Sequence, residues 1–368
     1  MRQQSSSALN EDVLVQQPAE GVVTVTLNRP KALNALNLGM VRKLTPLYKE
    51  WESNASVKGV IMVGVGEKAF CAGGDVVAIY REHPSHGGSG DLTTFFREEY
   101  VLDFLIGSLS KPHIAILDGI TMGGGVGLSV HGSYRVATEA TMFAMPETAI
   151  GFFCDVGGSH FLPRLKDHLG MYLALTGARL KGREVFDAGI ATHFVSREQV
   201  PALIEQLQGC QGHQDVQRVL HDASSSSSSA SSLDAVMEDV SRCFSKDSVE
   251  GIIESLKDTN NEWASKALKA MEQFSPTSLK VVHEQLCRGR EQDLDQNFKM
   301  EMRIATEFMR NKDFFEGVRA QLVDKDKSPA WSPSTLQEVT RDMVEKYFQP
   351  LPPDQELLLH YHSQQSKL

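Results

Sequence analysis

The sequence predicts an α/β fold with largely parallel strand pairing, followed by a mostly helical C-terminal part. Short β-branched segments alternate with helical patterns across residues 21–205, which is typical of parallel sheets. Beyond a serine-rich segment the pattern is helical throughout. Ligands in such folds bind where strands give way to helices, so those junctions are the candidate sites.

The core elements follow one another in regular order. Residues 21–27 are rich in Val and Thr and predict a strand, which ends at the turn Asn28-Arg29-Pro30. The next segment predicts a helix because apolar residues recur at intervals of three and four: Leu36, Met40, Leu44, Leu47 and Trp51. The alternation continues with a strand at 59–65, a helix from 74, a strand at 113–117, a helix at 124–131 and strands at 134–137 and 142–144.

Composition divides the chain into five parts. They are a flexible N-terminus (1–20), a core (21–205), a Ser-rich linker or insert (206–235), a helical part (236–350) and a tail (351–368). The linker includes an unbroken serine run at 224–229, which favours flexibility. In the helical part, helices are predicted near 249–256, 263–274, 279–286 and 294–309, with Ser275-Pro276-Thr277 as a helix start signal.

Composition and missing motifs narrow the function. A net charge of -10 argues against nucleic-acid binding, and no run of about 18 apolar residues predicts a membrane span. The five scattered cysteines suit a reducing compartment. Dinucleotide, phosphate-loop and Gly-x-Ser-x-Gly motifs are absent and the histidines lack companions at ligand spacing, so neither a cofactor nor a metal is expected.

The chain ends in Ser366-Lys367-Leu368, the tripeptide read by the peroxisomal import receptor. This ending predicts a peroxisomal location and that receptor as a partner. Arg2 is the only charged side chain among the first ten residues, which is untypical of a transit peptide. A mitochondrial location is the alternative.

Two glycine-rich turns each join a buried strand to a helix. Residues 69–75 end in Gly73-Gly74-Asp75, and residues 119–125 end in Gly123-Gly124-Gly125. N–H groups at a helix start have no partner within the helix, and two of them converging on one point would form an oxyanion hole. The alternative is a pair of tight turns that only permit close packing. Asp75 is expected to interact with the N-terminus of its own helix.

Glu147 and Asp155 stand eight residues apart in apolar surroundings. Burial raises the pKa of a carboxyl, which suits proton exchange near neutral pH. The alternatives are a loop residue for Glu147 and a helix cap for Asp155, because a helix is expected to start near Gly157. Of the neighbours Glu98 and Glu99, at most one can face a pocket, since adjacent residues point in different directions on a helix.

These segments resemble the crotonase (enoyl-CoA hydratase/isomerase) superfamily over residues from about Val22 to Val195. The resemblance rests on both glycine turns and on the acid after Met145-Pro146. It implies a spiral of repeated β-β-α units forming an acyl-CoA-binding core, and it assigns the oxyanion-hole N–H groups to Gly74 and Gly124. The superfamily often forms trimers, so a homo-oligomer is one expected state.

Within the superfamily, residues 119–132, 143–158 and the ending 316–331 are most similar to thioester hydrolases. That resemblance implies hydrolysis of 3-hydroxyisobutyryl-CoA, and of 3-hydroxypropionyl-CoA, in valine breakdown. Superfamily hydratases are expected to carry a second glutamate at the position of Gly127, so the water-adding pair is incomplete here. A hydratase or isomerase, and a non-catalytic acyl-CoA-binding protein, are the alternatives.

The resemblance also implies roles for individual residues. Glu147 would act as general base or nucleophile, and Asp155 would orient the 3-hydroxyl or the water, or protonate the leaving thiolate. Glu99 would lie at the substrate. Cys154 stands where related hydrolases often have proline, which alters the loop without removing the acid. The phosphates of CoA require local positive charge, for which the candidates are Arg29, Lys31 and Lys68, against ordinary surface charge.

Overall fold

The computed structural model describes residues 11–86, 88, 90–224 and 233–359. The terminal tripeptide at 366–368 and most of the serine run lie outside these ranges. The strands are β1 (Val13–Gln16), β2 (Gly21–Leu27), β3 (Val57–Gly64), β4 (Ala69–Cys71), β5 (His113–Leu117), β6 (Ile120–Met122), β7 (Tyr134–Ala137), β8 (Met142–Ala144), β9 (Leu180–Lys181) and β10 (His193–Phe194).

The helices cover the sheets and form the C-terminal part. They are α1 (Leu38–Ser53), α2 (Val76–Glu82), α3 (Thr94–Ser108), α4 (Gly124–Val130), α5 (Gly158–Phe161), α6 (Leu169–Thr176), α7 (Arg183–Asp187), α8 (Val200–Gln208), α9 (His213–Ala223), α10 (Met237–Phe244), α11 (Val249–Thr259), α12 (Glu262–Gln273), α13 (Pro276–Gly289), α14 (Leu294–Arg310), α15 (Asp313–Val318) and α16 (Arg341–Lys346). Within the described part of the chain, no helix is both long and apolar enough to cross a membrane.

The strands form two sheets with mostly parallel pairing. The larger has the order β1-β2-β3-β5-β7-β10 and is antiparallel only between β1 and β2. The smaller has the order β4-β6-β8-β9 and is antiparallel only between β8 and β9. The predicted largely parallel α/β fold is therefore confirmed.

The chain repeats one unit, in which a strand of the larger sheet is followed by a strand of the smaller sheet and then by a helix. β3, β4 and α2 form one such unit, and β5, β6 and α4 form the next. β7 and β8 begin a third, which continues into a helical turn at 147–150. This succession is the predicted spiral of β-β-α units. It places the ends of β4, β6 and β8 side by side, and the chain leaves each of them at a glycine turn or at Pro146.

Helices α8 and α9 cover the outer face of the larger sheet. Val216 and Leu220 of α9 pack with Leu203 of α8 against Ile61 and Ile114 of the sheet. The prediction of a linker over 206–235 is therefore wrong for residues 213–223, which form a helix. Its composition is polar apart from a few residues, and the buried pair Val216 and Leu220 are four residues apart on one face. Strand β1 likewise lies inside the predicted flexible N-terminus. The division into five parts otherwise remains a prediction.

The C-terminal helices pack against the core and reach the site. α13 begins at the predicted signal, where the Ser275 hydroxyl accepts a hydrogen bond from the N–H of Ser278. α14 packs on α3 and α5, and α15 packs on the helical turn at 147–150. The helical part is thus joined to the same elements that carry the candidate site residues.

Candidate active site

A cavity of about 370 Å³ opens where the two glycine turns meet the segment after β8. Its wall is largely apolar and includes aromatic rings from Phe95, Phe96 and Phe152. The predicted site residues on this wall are Gly74, Glu99, Gly124, Glu147 and Asp155. Tertiary structure therefore brings together five residues that lie on four separate segments.

The first glycine turn is held by backbone bonds to Leu36. The N–H of Leu36 donates to Gly73 O (2.8 Å), and the N–H of Asp75 donates to Leu36 O (2.8 Å). Since neighbouring peptide groups in a bridge alternate in direction, the N–H of Gly74 points away from Leu36, and Gly74 lines the cavity. Gly73 has a φ of +113°, which requires glycine. The Asp75 carboxylate caps α2 by accepting from the N–H of Ala78, as predicted.

The second glycine turn lies against the first. A Cβ at Gly124 would lie 3.2 Å from the amide nitrogen of Gly74 and 2.5 Å from Oε1 of Glu99. Gly123, with a φ of +44°, supplies the N-cap position of α4, and a Cβ there would lie 2.9 Å from Oε1 of Glu147. Any larger residue at 123 or 124 would therefore displace a carboxylate. The two turns therefore approach each other closely, as an oxyanion hole built from both of them would require.

Helix α3 turns Glu99 into the cavity and Glu98 away from it. Glu99 is 1% exposed, whereas Glu98 lies at the surface and forms an ion pair with Arg42 at 2.7 Å. Burial, followed by the charges of neighbouring carboxyls, raises the pKa of Glu99 well above its usual value.

Glu147 begins the helical turn after Pro146 and is also buried. Its Oε2 atom has no hydrogen-bond partner among the described residues. Burial is the largest cause that raises its pKa well above the usual range, and the charge of Asp155 adds to it. A buried carboxyl with an unpartnered oxygen facing a cavity is suited to take a proton from a bound molecule.

Asp155 does not cap α5. Oδ2 accepts a hydrogen bond of 2.9 Å from the hydroxyl of Tyr100, and the helix is capped by Gly157 without a side-chain bond. Burial raises the pKa of Asp155 to about 7, while the Tyr100 bond opposes this shift. Cys154, directly before it, is buried with its thiol near Met145 O (3.8 Å) and Ala174 O (3.9 Å).

Three polar residues near the site were not predicted from sequence. Tyr100 and Asp103 share α3 with Glu99, and Glu301 lies on α14. Asp103 is fully buried, and neither of its carboxylate oxygens has a partner among the described residues. Sequence signals could have revealed two of the three: Asp103 follows Glu99 by four residues, and Glu301 falls within the apolar spacing of α14 between Phe298 and Ala305.

The three basic residues proposed for CoA do not line this cavity. The Arg29 guanidinium is committed to Asp75 (3.0 Å), to Asp12 (3.6 Å) and to a backbone oxygen, and so holds the first glycine turn. Lys31 and Lys68 are exposed. The cations that do line the cavity are Arg179 and Lys327. The two cations on the cavity wall therefore differ from the three predicted from the sequence.

The fold and site define the class of protein. The family model described as enoyl-CoA hydratase/isomerase matches residues 22–348, and the chain belongs to this family. A solved structure of a carnitinyl-CoA dehydratase from Mycobacterium thermoresistibile is 38% identical, with a TM-score of 0.88 over 95% of this chain and 99% of that one.

The curated relatives share one name. A protein of Dictyostelium discoideum is 49% identical over 97% of this chain and 96% of its own length, and one of Xenopus tropicalis is 49% identical over 88% and 85%. Both are named 3-hydroxyisobutyryl-CoA hydrolase, mitochondrial. The predicted peroxisomal location is wrong on this finding, which favours the mitochondrion, and the import receptor is left without support as a partner.

Proposed function

We propose that this chain hydrolyses the thioester of 3-hydroxyisobutyryl-CoA to the free hydroxy acid and CoA, a step of valine breakdown. The observation that carries the proposal is the placement of Glu147 beside Gly123 and Gly124, with glycine rather than a second glutamate at 127. The relatives named as this hydrolase support the choice of substrate.

The mechanism follows from the positions of the donors and the carboxylates. The thioester oxygen accepts hydrogen bonds from the N–H groups of Gly74 and Gly124, and each such donor contributes roughly 3 to 4 kcal/mol to transition-state stabilisation in enzymes where it was removed. Ionised Glu147 takes a proton from water, which attacks the carbonyl carbon. Alternatively Glu147 attacks directly and water then opens the mixed anhydride. Both routes break the C–S bond and release CoA as a thiolate. In the first route the thiolate takes the proton that Glu147 removed from water, and in the second it takes a proton from the water that opens the anhydride.

The other two carboxyls serve the acyl group. Asp155, held by Tyr100, accepts a hydrogen bond from the 3-hydroxyl, and Glu99 contacts the acyl group beside Gly124. The apolar wall around Phe96 and Phe152 receives the methyl group. One methyl group contributes about 1 to 3 kcal/mol in a pocket, so 3-hydroxypropionyl-CoA is a slower substrate.

Recognition of CoA rests on the cavity mouth. Arg179 and Lys327 are exposed there, and Lys327 Nζ donates to Gln321 O at 3.0 Å. Their charges are suited to phosphates, which an acidic protein would otherwise repel. Assembly as a homo-oligomer is part of the proposal and is tested by sedimentation.

The test offers 3-hydroxyisobutyryl-CoA and crotonyl-CoA to the same preparation. Free thiol released from the first, without loss of enoyl absorbance from the second, supports the hydrolase. Hydration of crotonyl-CoA without thiol release refutes it in favour of a hydratase. Glu147→Gln is expected to abolish thiol release, and the surface variant Glu98→Gln is the matched control. Single turnover in ¹⁸O-labelled water tests for direct attack: label in Glu147 shows a mixed anhydride that water opened at the Glu147 carbonyl, because the general-base route never bonds the oxygen of water to Glu147.

A further inference from the structure

Glu301 is a fully buried acid from the C-terminal part of the chain that binds the turn after Asp155. Its Oε2 atom accepts from the N–H of Gly157 (2.7 Å), and its Oε1 atom accepts from the N–H of Ser159 (2.9 Å) and from the Ser159 hydroxyl. Glu301 does not line the cavity. It therefore touches the backbone that carries a site residue without touching the site.

The turn that Glu301 holds is strained. Val156, which directly follows Asp155, has a φ of +52°, a conformation that β-branched residues rarely adopt. Such strain persists only where the surrounding structure over-determines the backbone. The carbonyl of Val156 is bound by His131 Nε2 at 2.8 Å, and the carbonyl of Cys154 accepts from Gln285 Nε2 at 2.7 Å. With Glu301, these bonds fix the backbone on both sides of Asp155.

We propose that Glu301 is a positioning residue that aims the Asp155 carboxylate into the cavity by holding the strained turn 156–159. The inference rests on the proposed function, because it takes Asp155 to act on the substrate. Loss of the acceptor would leave two buried N–H groups unpaired and would release Val156 from its left-handed conformation. A displacement of about 1 Å at a reacting group lowers rates on the order of 100-fold, so turnover is sensitive to this support.

A double-mutant cycle tests the proposal. Glu301→Gln keeps the size of the side chain but turns an NH₂ group toward a backbone N–H. In the wild-type background it is expected to lower kcat/KM for 3-hydroxyisobutyryl-CoA by about tenfold or more, in line with coupling within one hydrogen-bond network. In the Asp155→Asn background it is expected to cause no further loss. Equal losses in both backgrounds would overturn the proposal, because a merely structural role acts regardless of residue 155.

A binding measurement keeps the test decisive where turnover in the Asp155→Asn background is too slow. Calorimetry with a thioether analogue of 3-hydroxyisobutyryl-CoA, and with the same analogue lacking the 3-hydroxyl, gives an affinity ratio. Glu301→Gln is expected to reduce this ratio to that of Asp155→Asn, and retention of the wild-type ratio would overturn the inference. Thr306→Val, on the same helix, is the control. Absence of thioesterase activity in the wild type would instead refute the proposed function.

Discussion

The hydroxyl of Tyr100 donates a hydrogen bond of 2.9 Å to Oδ2 of Asp155 inside the protein core. The bond favours the ionised form of Asp155, whose pKa burial raises to about 7. Because Tyr100 neighbours Glu99 on α3, one helix presents one carboxylate to the cavity and fixes another. The ionisation of Asp155 therefore depends on where α3 places the Tyr100 hydroxyl.

Tyr100→Phe is expected to raise the pKa of Asp155 further, since the bond that opposes the effect of burial is removed. If ionised Asp155 binds the 3-hydroxyl, kcat/KM rises with pH through about 7 in the wild type. The acid limb of the profile should therefore move to higher pH in the variant. A pH–rate series on both proteins measures this, and an unmoved acid limb would contradict the role of the bond.

Gly127→Ala is expected to destabilise the protein by about 1 to 3 kcal/mol, as for other overpacked cores. The added Cβ would lie 2.5 Å from Oδ2 of Asp103 and 2.8 Å from Cβ of Val156. For the same reason Gly127→Glu should lose stability without gaining hydration of crotonyl-CoA. Thermal unfolding measures the change, with Gly209→Ala, where the nearest atom is 3.5 Å away, as the control. A stable, hydrating Gly127→Glu variant would refute this account.

Asp155→Asn is expected to change the pH dependence of stability. The folded-state pKa of Asp155 is about 7, against about 3.9 in an unfolded chain, so the folded wild type binds more protons between these values. The contribution of Asp155 to the wild-type free energy of unfolding is therefore fully present below about pH 4 and is lost as the pH rises through about 7. The variant lacks this loss, so its free energy of unfolding relative to wild type should rise across the window by up to about 1.4 kcal/mol per pH unit.

Urea unfolding at pH 4.5 to 7.5, with pH values chosen at roughly half-unit steps, measures that difference. Glu98→Gln is the control, because Glu98 lies at the surface in an ion pair with Arg42. A difference between Asp155→Asn and wild type that stays constant with pH would show that Asp155 is already ionised at acid pH.

Lys327→Ala and Arg179→Ala are expected to raise KM by roughly two- to fivefold with little change in kcat, since an exposed ion pair contributes at most about 1 kcal/mol. The effect should shrink as salt screens the phosphates. Lys31→Ala and Lys68→Ala remove the same charge outside the cavity and are the controls. If KM rises more in Lys31→Ala and Lys68→Ala than in the two cavity variants, CoA binds instead at the surface beside the first glycine turn.

Arg29→Ala is expected to lower the stability of the protein rather than to weaken CoA binding directly. Its guanidinium bridges Asp12 and Asp75 and donates to Ala35 O at 2.6 Å, so its loss loosens the first glycine turn. Thermal unfolding is expected at a lower temperature, with kcat reduced through Gly74. A raised KM with unchanged unfolding temperature would instead favour direct contact between Arg29 and CoA.

Local patterns carried much of the fold. The strands at 113–117, 134–137 and 142–144 were predicted with the bounds that the structure has, because short segments with apolar and aromatic residues between turn residues are local signals. Helix α9 was not predicted, since its apolar residues are few and the surrounding composition is polar. The role of Glu301 was not predicted, because the sequence does not show which distant N–H groups an acid in an apolar stripe will bind.

The sequence alone determined the α/β class, the two glycine turns and the acids Glu147 and Asp155, since each depends on residues close together in the chain. Only tertiary structure decided how these act together. It paired Arg29 with Asp75, placed Asp103 against position 127 and held the turn after Asp155 with Glu301. Burial and partners depend on contacts between distant segments, and it is these contacts that raise the pKa of a carboxyl or hold it in place.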